Sequence, residues 1–192
     1  NRIFWFLFGT FAICGFTTNG LVQTHFIPLC QDYGMLAVAG ASVLALMGVC
    51  DFFGAIGSGF LSDRFAPNKL LFWYYFLRGL SLLALPFSNF SLVGLSAFAV
   101  FYGLDWIATV PPTVKLAATT FGREQAPLVF GWIFTAHQIG AAIAALGAGL
   151  THDALGTYLP AFFTGGVLCI MAAGTALAVK PARVASTPAP AE

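Results

Sequence analysis

Two long apolar runs joined by a short charged turn constrain this chain more than any other feature. Ala37 to Leu61 carries one charge, Asp51, and Leu70 to Phe87 carries one, Arg78. Between them stands Ser62-Asp63-Arg64-Phe65-Ala66-Pro67-Asn68-Lys69. At about 1.5 Å of rise per residue, each run is about long enough to cross a hydrocarbon core of roughly 30 Å as a helix. Backbone groups in that core must be satisfied within the protein, which selects helices. The stretch predicts a helical hairpin whose turn lies at one face of a membrane.

Composition carries this reading to the whole chain. Of 192 residues 59% are hydrophobic and 8% are charged, against roughly 25% charged in soluble domains. With a net charge of +1 and no basic face, nothing points to nucleic acid. Cys14, Cys30, Cys50 and Cys169 lie far apart, three of them in apolar runs, with neither metal-ligand spacing nor a disulfide framework. They read as buried small hydrophobes, and no pattern calls for a cofactor or a metal.

The expected fold class is an all-α membrane protein with six transmembrane helices at about 3–27, 37–61, 70–87, 91–114, 127–151 and 157–179. Breakers separate them: Pro28 and Gly34, Pro67, Pro86 with Ser88-Asn89, Gly122 to Pro127, and His152-Asp153 with Gly156. The first run is too long and too aromatic for a signal peptide; opening directly after Arg2, it implies further chain upstream. Residues 180–192 read as a disordered tail by composition. The loops at 28–36, 88–90 and 152–156 hold no Lys or Arg. The opposite set holds Arg2, Arg64, Lys69, Lys115, Arg123, Lys180 and Arg183. Cytoplasmic loops collect such residues, so both ends of the chain, tail included, are expected on the cytoplasmic side.

Gly59-x-x-Ser62-Asp63-Arg64, leading to Lys69, resembles the inter-helix signature of the major facilitator superfamily. Ala66, Pro67 and Asn68 replace the Gly and basic residues that follow in the family pattern, as in the copy between its eighth and ninth helices. Gly131-Trp-Ile-Phe-Thr-Ala-His137-Gln138-Ile-Gly140, with Gly149 to Tyr158 after it, is similar to the eleventh helix and its loop. The chain up to the tail therefore resembles the C-terminal six-helix half, helices seven to twelve, of a twelve-helix transporter. Cys14 to Gly20 with His25-Phe-Ile-Pro28 resembles bacterial members near the monocarboxylate and oxalate/formate porters. Ala55 stands where monocarboxylate porters often carry an Arg, four residues after an Asp.

The resemblance implies a secondary transporter in a bacterial inner (plasma) membrane, working by alternating access with an N-terminal half as partner. Its cargo is a small solute, an organic anion among the candidates, with a coupled proton. Asn19, Gln23, Asp105, His137 and Gln138 are the expected solute-binding residues. Gly59, Asp63 and Arg64 are expected to gate the cytoplasmic side. Asp51 and Arg78, at nearly equal depth in the hairpin, are expected to form an ion pair, because a lone charge at mid-membrane costs about 2.5–3.5 kcal/mol or more. The resemblance puts the Arg78 helix at the periphery, and the sixth span is expected to face lipid. Pro111-Pro112 predict a kink or loosening beside Asp105, and Asn19-Gly20 a local opening of the first span.

His137 reads as bonded to a neighbouring backbone group, His25 as interfacial, Lys115 as an anchor at the cytoplasmic end, and Trp73-Tyr74-Tyr75 as an aromatic belt. Small residues at Gly54, Gly57, Ser58 and Gly59, and at Gly140, Ala144 and Ala148, fit either contact within this half or an interface awaiting its partner. Two rival classes remain. A homodimeric six-span transporter or channel needs no missing half. An intramembrane serine protease would use Ser58, but the depths of Ser58, His137 and His152 disagree.

Overall fold

The computed structural model describes residues 1–178, so the tail expected at 180–192 lies outside the described residues. Every regular element among them is helical: α1 (Arg2–Gly15), a π-helical stretch (Phe16–Gln23), α2 (Thr24–Asp32), α3 (Ala37–Arg64), α4 (Pro67–Ala84), a 3₁₀ turn (Leu85–Ser88), α5 (Leu92–Asp105), α6 (Val110–Phe121), α7 (Ala126–Leu155) and α8 (Leu159–Ala178). These make six helices long and apolar enough to cross a membrane, at Arg2–Asp32, Ala37–Arg64, Pro67–Ser88, Leu92–Phe121, Ala126–Leu155 and Leu159–Ala178. The chain is an integral membrane protein.

Several expected ends move. Pro28 lies inside α2 rather than closing the first helix. It follows directly on the change from π to α register, where the backbone ladder is already altering its step. α3 runs on to Arg64 and α4 starts at Pro67, so Asp63 and Arg64 form the last turn of a helix and only Phe65 and Ala66 connect the hairpin. Proline at the first helical position needs no N–H partner there, which suits so abrupt a start.

The interior is layered. One apolar cluster gathers Leu7, Phe11, Leu71, Tyr75, Leu116 and Ile133; another gathers Leu21, Phe26, Met47, Leu82, Phe98, Tyr102 and Phe162. In sequence, the buried polar residues Thr17, Thr18, Arg78, Asp105, Thr109 and His137 fall between the members of the two clusters on each span. They form a polar belt at mid-depth. The sixth span does more than face lipid: Phe162, Gly165, Gly166, Cys169, Ala172, Ala173 and Ala176 are buried, and Gly79 and Gly166 let α4 and α8 approach backbone to side chain. Of the expected aromatic belt Trp73 is exposed, whereas Tyr75 is wholly buried and donates its hydroxyl to the Thr10 carbonyl at 2.8 Å.

The small residues of α7 serve contact within the chain. A Cβ on Gly140 would fall on the Ala12 carbonyl, one on Gly15 on the His137 carbonyl, and one on Gly20 on the Ala141 carbonyl. Gly54 of α3 meets Leu104 in the same way, but Gly57 and Gly59 face open space. A Gly140→Ala change should therefore force α1 and α7 apart and destabilise the protein by about 1–3 kcal/mol or more. Gly147→Ala, with nothing within 4 Å of its added carbon, should be close to neutral. Thermal unfolding in detergent separates the two.

Candidate functional site

Pro111 and Pro112 have no N–H to give to the carbonyls four residues back, at Ile107 and Ala108. The fourth span accordingly breaks between α5 and α6. Trp106 N–H turns to the Gly103 carbonyl at 3.1 Å and Val110 N–H to the Ile107 carbonyl at 2.9 Å. The carbonyls of Asp105, Trp106 and Ala108 and the N–H of Ile107 are left at the depth of the polar belt. An unsatisfied backbone group there costs several kcal/mol, and side chains from two neighbouring spans meet all four.

Arg78 of α4 supplies most of them. Its Nε donates to Asp105 Oδ2 at 2.6 Å, Nη2 donates to the backbone carbonyls of Asp105 and Trp106 (the latter at 3.0 Å), and Nη1 donates to Cys14 Sγ at 3.1 Å. Its side chain is wholly buried. Asp51 of α3 accepts the Ile107 N–H at 2.9 Å, and two helical turns on, Ser58 Oγ donates to the Ala108 carbonyl.

The expected Asp51–Arg78 ion pair is therefore not formed: Arg78 pairs with Asp105. Equal depth along a hairpin does not fix which way each side chain faces, and the broken helix makes the stronger demand for donors. Nor is Arg78 peripheral, although α4 flanks the bundle. Ser58 is spent on a backbone carbonyl with no histidine in reach, so the serine-protease arrangement is absent among the described residues.

The first span is also locally opened. The π-helical stretch contains Asn19 and Gly20 as expected; within it the Asn19 carbonyl accepts the Thr24 hydroxyl and the Thr17 carbonyl the Tyr102 hydroxyl at 2.7 Å, while the Thr17 and Thr18 hydroxyls donate back to the Ile13 and Cys14 carbonyls of α1. Such π turns occur often at functional sites. Asn19 and Gln23 are exposed. Gln23, Leu44, Gly48, Asp51 and Trp106 line an open groove of about 200 Å³ beside the break.

The other expected residues are placed differently. Asp105 is 6% exposed and His137 7%, and neither lines the groove. His137 stacks on Phe134 at 5.3 Å and its Nδ1 has no hydrogen-bond partner; the bond to a neighbouring backbone group expected for it is not found among the described residues. Gln138 is exposed on α7 but stands outside the groove. His25, expected at the interface, is buried and bonds the Ala145 carbonyl at 2.9 Å. Cys14, expected as a plain hydrophobe, is buried as an acceptor for Arg78.

A second cleft, of about 920 Å³, opens at the hairpin end between α3 and α6, where Gly59, Asp63, Lys115 and Arg123 converge. Lys115 donates there to the Ser62 carbonyl. Among the described residues Asp63 and Arg64 enter no ion pair, and Arg64 lies over the Phe60 ring at 4.1 Å. At the opposite end His152 meets Asp32 at 3.1 Å and stacks on Tyr158. Burial, reinforced by the Asp32 and Asp153 carboxylates, raises the Tyr158 phenol above its ordinary value.

Six spans, two of them interrupted beside a polar groove, define a polytopic helical membrane protein. No family model matches the chain. It is 26% identical over 153 residues to Monocarboxylate transporter 13 of Rattus norvegicus, covering 78% of this chain and 35% of that protein. It is 27% identical over 153 residues to Monocarboxylate transporter 12-B of Danio rerio, covering 76% of this chain and 31% of that protein. Monocarboxylate transporters are members of the major facilitator superfamily. The chain spans about a third of the length of these relatives.

Removing one partner of a buried, hydrogen-bonded pair leaves the other charge uncompensated. Arg78→Leu and Asp105→Leu should each destabilise by about 3–5 kcal/mol. The exchange Arg78→Asp with Asp105→Arg should fail to restore stability, because the guanidinium also holds two backbone carbonyls from its position on α4. A swap that recovered the wild-type midpoint in detergent unfolding would contradict this account.

Proposed function

We propose that this chain is the C-terminal six-helix half of a major-facilitator transporter that moves a small organic solute by alternating access. The observation that carries the reading is the meeting of a broken span and a π-helical one at an open polar groove. Unwound backbone within a membrane is tolerated where it is buried in protein or lines a cavity, and transporters place their sites there. The similarity to two monocarboxylate transporters supports the class. The groove is smaller than the roughly 300–1,000 Å³ of a complete pocket, as befits a site whose other wall belongs to another half.

In this reading the N-terminal half covers α3 and α7, whose outward faces carry Phe52, Phe53, Ile56 and Phe60, and Trp132, Ile139, Ile143 and Leu146. Basic residues put both ends of the described chain on the cytoplasmic side. The cleft at Gly59, Asp63 and Arg123 is then the cytoplasmic gate, and Asp63 and Arg64 are available to pair across it. Gln23 and Asp51 touch the solute from this half, with Asn19 at the edge of the groove. Asp105 and Arg78 hold the broken helix in shape. The carboxylates at Asp51 and Asp105 permit a proton to be coupled to the solute.

The test is uptake by the intact protein in proteoliposomes, with and without a pH gradient, across a panel of small organic acids and amino acids. One or more should enter. A Cβ on Gly48 meets nothing within 4 Å, so Gly48→Leu should leave folding intact while filling the groove and cutting uptake by about tenfold or more. Uptake that ignores a folded Gly48→Leu variant would remove the groove from the pathway. A flat panel would count against the transporter reading itself.

A further inference from the structure

We propose that the groove beside the helix break binds the positively charged, ammonium-type end of the solute, with Asp51 as its counter-charge. This rests on the reading of the groove as the solute site and narrows the solute to one bearing an amine.

The mid-depth belt and groove hold two carboxylates, Asp51 and Asp105, and one guanidinium, Arg78. Arg78 is wholly buried, and its Nε, Nη1 and Nη2 already serve Asp105, Cys14 and the backbone of the break. It has no face toward the groove. The other cations among the described residues, Arg2, Arg64, Lys69, Lys115 and Arg123, stand at the ends of spans. One turn on from Asp51 stands Ala55, without charge. His25 and His137 are buried elsewhere. Asp51 thus remains the surplus charge: Oδ1 takes the Ile107 N–H, and no ion pair holds the carboxylate.

A carboxylate held in a low-dielectric layer needs a neutralising partner. The walls favour an organic cation. Trp106, packed edge-to-face on Tyr102 at 5.6 Å, borders the groove, and an indole attracts ammonium groups. Gln23 adds an amide acceptor. A bare metal ion would want six or more oxygen ligands, more than these side chains offer. A proton would need no groove. An acid group on the solute finds no partner among the described residues and would be held by the rest of the transporter.

Binding to the intact protein in detergent tests this, read by thermal stabilisation and by quenching of tryptophan fluorescence. The probes are ethylammonium and β-alanine against acetate and lactate. Both amines should bind. Asp51→Asn keeps an oxygen for the Ile107 N–H and should fold, yet weaken the amines by about tenfold or more, as loss of a desolvated charge partner does. Asp51→Glu should retain part of the affinity. Unchanged amine affinity in a folded Asp51→Asn variant overturns the proposal. So does binding of acetate or lactate without either amine, including the case where Asp51 proves to be a proton site, and so does silence from all four probes. Acid uptake without amine binding would sink this inference and leave the transporter reading standing. Amine binding at Asp51 without uptake of any solute would do the reverse.

Discussion

The requirement that no backbone polar group be left bare at mid-membrane organises this structure. Two adjacent prolines withdraw two donors from the fourth span, the helix gives way for four residues, and the exposed groups set terms for their neighbours. A long side chain with several donors must arrive from one side, and Arg78 does so with its charge neutralised by the adjacent Asp105. A carboxylate and a hydroxyl must arrive from another, and Asp51 and Ser58 do so from two turns of one helix. The ion pair is thus less a stabilising ornament than the means by which a guanidinium can be kept where the carbonyls need it. Buried pairs often return little net stability against apolar replacements, but an apolar replacement here would strand the backbone.

Glycine contacts fix the first span against α7 as the polar belt fixes the fourth span against α3 and α4. The near approach of Gly15, Gly20 and Gly140 to opposing backbone brings two helices together without room for side chains. The tyrosine hydroxyls at 75 and 102 then tie α4 and α5 to carbonyls of the first span. The two interrupted spans are in this way tied to each other as well as to their neighbours.

Much of this was legible in the sequence. Six apolar runs, the breakers between them and the proline pair announce the spans and the place of the break, because each depends on local chemistry alone. Depth was legible too: Asp51 and Arg78, expected at nearly equal depth, both reach the break in the fourth span. Direction around each helix was not. Asp51 and Arg78 lie at equal depth yet face different parts of the same broken helix, and only packing decides that. Cys14 looked like a plain hydrophobe because its role as acceptor arises from an arginine 64 residues away. The groove itself was half visible, since Gln23 and Asp51 stood out as polar residues in apolar runs. Trp106 and Gly48 did not, for nothing in their neighbours marks a tryptophan or a glycine as a wall.

The two contacts from α3 also bear on how the bundle can deform. Asp51 holds the Ile107 donor and Ser58 the Ala108 acceptor, so α3 grips two successive residues in the middle of the interruption. Sliding α3 by one turn, about 5.4 Å, would strip both contacts at once and bare the Ile107 donor and the Ala108 acceptor. Kinematically, α3 with the α5–α6 break is one link. Large displacements must be carried by hinges beyond it, such as the two-residue connection Phe65-Ala66.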